Sequence, residues 1–125
     1  MEYNVESYIE KYVLLCSKMC KKPDDYLDKK NVKKHNEAMK SLNKLTEELY
    51  KNTQLSCEVY YVLLNCEDDY VKMCAAADCL KLEIYVKDAL KILKRISRSK
   101  DKMASMSAER ILLVYKGKLA PDEPF

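Results

Sequence analysis

Residues 68–82 read Asp-Asp-Tyr-Val-Lys-Met-Cys-Ala-Ala-Ala-Asp-Cys-Leu-Lys-Leu. Asp68 is placed to cap a helix, its carboxylate accepting an amide hydrogen from Tyr70 or Val71. Val71, Met73, Cys74, Ala75, Ala76, Ala77, Cys79, Leu80 and Leu82 then leave almost no polar face. A helix that is apolar on every side belongs in the middle of a domain, and its small side chains let neighbouring backbones approach closely. The flanking segments read as its cover.

Upstream, Leu55 to Cys66 contains Val59-Tyr60-Tyr61-Val62-Leu63-Leu64, a run with strand propensity. Periodicity does not separate a buried strand from a buried helix over so few residues. The chain offers no partner strand, so the reading is a helix with Thr53 as its cap. Downstream, a fifth helix is expected from near Tyr85 to Arg98, with Val86, Ala89, Leu90, Leu93 and Ile96 inward. Ser105 is the expected cap of a sixth helix through Lys116, whose inward residues are Ala108, Ile111, Leu112 and Tyr115. Gly117, the only glycine, sits where a helix C-terminus calls for positive φ.

At the other end, Asn4 is placed to cap a helix from Val5 to about Lys21, with Val5, Ile9, Tyr12, Val13, Cys16 and Cys20 on one face and Pro23 as its stop. Asp24 to Asp28 reads as a short linker. A second helix from about Lys29 to Lys51 keeps a narrow stripe of Val32, His35, Met39, Leu42, Leu45 and Leu49. Two helix–turn–helix pairs, 55–82 and 85–116, preceded by two longer helices, predict stacked helical repeats. The expected fold is all-α with about six helices, in one domain over 1–118. A flexible C-terminal tail is expected over 119–125, where Pro121 and Pro124 exclude helix.

Composition agrees with this architecture. The chain has 125 residues, 48% of them hydrophobic and 34% charged, which suits one globular domain. One glycine and three prolines are too few for the many reversals of a sheet. Six cysteines show neither a C-x-x-C pair nor a zinc-like pattern with the single histidine, His35. They read as reduced thiols used as small hydrophobes, which predicts a cytoplasmic setting. No secretory leader pattern and no apolar run of about 20 residues is visible, so no membrane partner is expected. A net charge of +3 does not by itself call for nucleic acid. Gly-rich phosphate loops, nucleophile elbows and H-E-x-x-H are all lacking, so neither catalysis nor a cofactor is expected.

Leu63-Leu64-Asn65-Cys66-Glu67-Asp68-Asp69-Tyr70-Val71-Lys72-Met73-Cys74-Ala75-Ala76 resembles a HEAT-type repeat turn: Leu-Leu, an acidic turn, Asp, two residues, Val-Arg, then an alanine-rich helix. With Lys34-His35-Asn36 ahead of it, and Ala89-Leu90-Lys91-Ile92-Leu93, Ser107-Ala108-Glu109 and Lys116-Gly117 after it, residues 28–118 resemble a small bacterial HEAT-like family. That is domain-of-unknown-function family number 2019. The resemblance implies an α-α superhelical stack and no established reaction. It also implies a protein partner, with immunity proteins that neutralise a toxin domain among such modules. Three positions depart from the pattern: Lys72 stands for the usual arginine, Asp69 for a frequent proline, and Asp78 for an aromatic or histidine.

Those departures nominate the partner-binding residues Glu67, Asp69, Tyr70, Lys72 and Asp78. Their structural reading is a helix start, where acids suit the dipole, and an acid at a helix edge beside Lys81 or Lys72. A basic face on the fifth helix, Lys87, Lys91, Lys94, Arg95 and Arg98, continued by Lys100 and Lys102, is the nucleic-acid alternative. Asp88 and Asp101 interrupt it, and its structural reading is a solvated helix face. The tyrosines, ten in all with no tryptophan, fit an interface or a core with hydroxyls at the rim. The expectation is therefore a non-enzymatic protein-binding module, monomer or weak dimer. Nucleic acid is the less favoured partner.

Overall fold

The computed structural model describes residues 4–117. It is all-α, with no strand among the described residues. Its helices are α1 (Val5–Ser17), α2 (Lys29–Tyr50), α3 (Thr53–Leu64), α4 (Asp69–Leu82), α5 (Val86–Ser97) and α6 (Lys102–Tyr115), with a 3-10 turn at Pro23–Leu27. The chain groups into two compact units that divide between Cys66 and Glu67. Helices α1 to α3 make the first and α4 to α6 the second, so the pair expected over 55–82 is split between them.

In the first unit, Asn4 caps α1 as expected, its Oδ1 accepting from the Ser7 amide at 3.2 Å. The helix ends at Ser17, earlier than the apolar spacing predicts. The amides of Lys18 and Met19 turn to the carbonyls of Leu15 and Cys16, and Asp25 Oδ2 then accepts from the Lys21 and Lys22 amides, each at 3.0 Å. A carboxylate that satisfies two amides outcompetes a further helical turn. The stretch expected as a linker is the 3-10 turn, with Pro23 at its start, where a missing N–H costs nothing.

Tyr12 and Cys16 are the buried residues of α1, while Val13, counted inward, is 38% exposed. On α2 the buried stripe is Ala38, Leu42, Leu45, Thr46 and Leu49, and Met39 lies outside it. Asn52 caps α3 in place of Thr53, its Oδ1 accepting from the Leu55 amide at 3.0 Å. Along α3 the buried residues Leu55, Ser56, Val59, Tyr60, Leu63 and Leu64 follow the helical period, and Tyr61 and Val62 face out. A strand would have buried alternate residues instead. Tyr12 and Tyr60, both fully buried, meet edge to face with centroids 6.0 Å apart. The Ser56 hydroxyl donates to the Leu49 carbonyl and ties α3 to α2.

In the second unit, Asp68 caps α4 as expected, Oδ1 accepting from Tyr70 at 2.8 Å and Val71 at 3.3 Å. Val71, Met73, Ala75, Ala76, Cys79 and Leu80 are buried as α4 packs on α5 and α6. Ala75 and Ala76 have no exposed surface, the close approach their small side chains predict. The Ile84 amide reaches back to the Cys79 carbonyl and the Glu83 amide to Leu80, an αL ending that normally employs glycine. Here Glu83 takes φ 57°. Tyr85 takes φ 49° and precedes α5 rather than belonging to it.

Helix α5 buries Ala89, Leu93 and Ile96, and α6 buries Ala108 and Leu112. Asp101, not Ser105, caps α6, its Oδ1 accepting from the Ala104 amide at 3.2 Å. Ser105 lies one turn inside the helix and donates its hydroxyl to the Ser97 carbonyl, joining α6 to α5. Gly117 has φ 74°, as its position after α6 predicts. The tail expected over 119–125 lies outside the described residues.

Candidate functional site

The acidic turn that opens α4 separates into distinct roles. Asp68 is spent on capping. Asp69 faces Arg95 of α5 through two bonds, Arg95 Nη2 to Oδ1 at 2.7 Å and Nη1 to Oδ2 at 3.2 Å. This planar, two-pronged geometry is one that arginine provides and lysine does not. The Arg95 hydrogen bonds hold the Asp69 carboxyl below the usual carboxylate range, with Lys72 adding to the effect, and the carboxylate in turn raises the guanidinium. An arginine–carboxylate pair is therefore present although position 72 is lysine. The arginine comes from the neighbouring helix.

Glu67 is exposed, Tyr70 and Lys72 are half-buried, and so is Asp78. Asp78 lies nine residues beyond Asp69 on α4, about half a turn out of phase. The helix thus sets the two nominated carboxylates on opposite faces. No single site gathers all five nominated residues.

Lys87, Lys91 and Lys94 of α5 and Arg98, the residue that caps its C-terminus, are exposed. Their spacing of four, three and four residues places them within about 60° of one another around the axis. Arg95 stands beside this row but turns to Asp69. Among the described residues no carboxylate forms a salt bridge with the four in the row. Like charges one turn apart disfavour a helix by about 0.2–0.5 kcal/mol per pair, so α5 holds its row because Ala89, Leu93 and Ile96 anchor the opposite face. Of the two acids that interrupt the basic run, Asp101 is engaged at the α6 N-terminus and Asp88 stands in the first turn of α5, where the dipole favours it.

Sequence reasoning missed an apolar groove between α4 and α6. Ala77, Leu80, Ile111 and Val114 line it, Tyr115 stands at one end, and Lys81 and Arg110 supply its cationic edges. Its volume is about 260 Å³, below the roughly 300 Å³ at which small-molecule sites begin. It is sized for inserted side chains rather than a whole cofactor. A signal existed in Ile111-Leu112-Leu113-Val114-Tyr115, five apolar residues in succession. One helix face cannot bury five neighbours, so some had to be left outside; Leu112 alone is buried.

In the first unit, His35 Nδ1 accepts from the Cys20 amide at 2.9 Å, and the Cys20 thiol donates to the Asn31 carbonyl. Tyr26 tilts over the His35 ring with centroids 5.6 Å apart. Burial pushes the Cys20 thiol up, and the Asp25 charge adds to it. A thiol so placed is poorly nucleophilic at neutral pH. His35 is thereby a satisfied edge residue of α2, as its place on the stripe predicts.

All six cysteines are thiols: Cys16, Cys20 and Cys79 are buried, and Cys57, Cys66 and Cys74 are half-buried. Among the described residues no three His, Cys, Asp or Glu side chains converge as metal ligands. No helix there is long and apolar enough to cross a membrane. No family model, curated protein or solved structure matches the chain.

Proposed function

We propose that the chain is a non-enzymatic protein-binding module and that the α4/α6 groove of its second unit receives the partner. The observation that carries this reading is the groove's composition: an apolar floor, a tyrosine at one end and cations along the edges. Apolar anchors surrounded by a polar rim are the arrangement of a protein interface, and tyrosine is enriched there. The occupant this chemistry fits is an amphipathic helix of another protein, with apolar side chains for the floor and an acidic one for Lys81.

A toxin domain neutralised by occlusion is one partner of this kind, and the gene next to this one is where to look for it. Titration calorimetry of the adjacent gene's product against the intact chain and against Ile111→Lys tests the reading. The expected result is a loss of about 30-fold or more, the effect of removing an interface hot spot. Equal affinity for both forms would place recognition outside the groove. In a toxin–immunity pair, Ile111→Lys should also fail to protect cells that express the toxin.

A further inference from the structure

The cation row on α5 shares no residue with the groove and has a different chemistry. We infer that Lys87, Lys91, Lys94 and Arg98 form a strip that binds the phosphodiester backbone of a nucleic-acid duplex. Four exposed cations stand in line over about 16 Å of helix, at 1.5 Å of rise per residue. The strip has no partner carboxylate among the described residues. Of the two acids that break the basic run in sequence, Asp101 points into the start of α6 and Asp88 sits in the first turn of α5, outside the row.

Three of the four cations are lysines, and no apolar anchor lies in the row. Protein interfaces are depleted in lysine and depend on apolar or aromatic anchors. Phosphate recognition needs neither, because lysine serves as a point charge and contacts to the backbone carry no sequence requirement. The strip is thus suited to sequence-independent binding, and Arg95, locked to Asp69, frames one side without adding to the free charge.

The test is fluorescence anisotropy of the intact chain with labelled random-sequence DNA and RNA duplexes of about 20 base pairs, from about 50 to about 200 mM salt. Binding is expected at the lower salt, with log affinity falling against log salt at a slope of about −3.6 on DNA, four phosphates at about 0.9 each. Comparison of the two duplexes identifies the natural backbone. Lys91→Gln with Lys94→Gln should weaken binding about tenfold and reduce the slope by about 2. Lys87→Gln with Arg98→Gln should do the same independently, and all these positions are exposed, so the variants should keep their helical content. Lys33→Gln with Lys40→Gln removes equal charge from α2 and should leave the slope unchanged. Three results would overturn the inference. One is no binding of either duplex at low salt, and another is an equal loss from the α2 pair. The third is row-dependent binding of poly-glutamate without binding of either duplex, which would assign the strip to an acidic protein.

Discussion

Glu83 holds a conformation that glycine would hold at less cost. An L-residue in the left-handed region is disfavoured by roughly 1–2 kcal/mol, partly offset in a glycine variant by the greater freedom of its unfolded chain. Glu83→Gly should therefore raise stability by about 0.5 kcal/mol, read as a higher urea midpoint at unchanged slope. Gly117→Ala should cost about 1 kcal/mol from backbone strain alone, because a Cβ there meets nothing within 4 Å. The Asp69–Arg95 pair supplies a pH-dependent prediction. A carboxyl with a lowered folded pKa adds stability above its unfolded value, about 3.9, and loses it as pH falls through the folded value. Both side chains are more than half exposed, at 56% and 53%, so screening keeps the gain under about 1 kcal/mol. Asp69→Asn should lower the urea midpoint slightly at neutral pH and have no effect in strong acid. At this scale, Asn4, Asp68 and Gly117 were legible because caps and αL endings depend on neighbours in sequence. The Asp69–Arg95 pair was not, since it joins residues 26 apart on two helices.

The helices show why type is easier to read than boundary. The run from Val59 to Leu64 favours a strand by propensity, yet burial of Val59, Tyr60, Leu63 and Leu64 with Tyr61 and Val62 exposed follows the helical period. Cap choice was harder, because Asp101 and Ser105 are both good caps four residues apart, and Asn52 and Thr53 are adjacent. Which of them wins depends on packing: Ser105 is needed on the Ser97 carbonyl, leaving the cap to Asp101. The complete burial of Ala76 on α4 makes it a sensitive probe. Ala76→Leu should destabilise by about 1–3 kcal/mol through overpacking against its neighbours, seen by thermal or urea unfolding. The α5 row was legible residue by residue from its spacing. What the sequence lacked was the direction of the acids beside it, which decides whether its charge is neutralised.

At the scale of the molecule, each unit is a three-helix assembly with its own buried residues, Tyr12, Leu49, Tyr60 and Leu63 in the first and Ala75, Cys79, Leu93 and Ala108 in the second. The second unit carries both surfaces on which the functional reading rests. The surplus of apolar residues on α6 was legible but the groove was not, because it forms only when Ala77 and Leu80 of one helix meet Ile111 and Val114 of another, a register that depends on the turns between them. Selection of displayed helix-forming peptides on the immobilised intact chain, followed by titration against Val114→Lys, tests the groove most directly. Enriched peptides should have an apolar face edged by aspartate or glutamate and bind the variant at least about 30-fold more weakly. Enriched peptides that bind both forms equally, or that lack an apolar face, would contradict this reading of the groove.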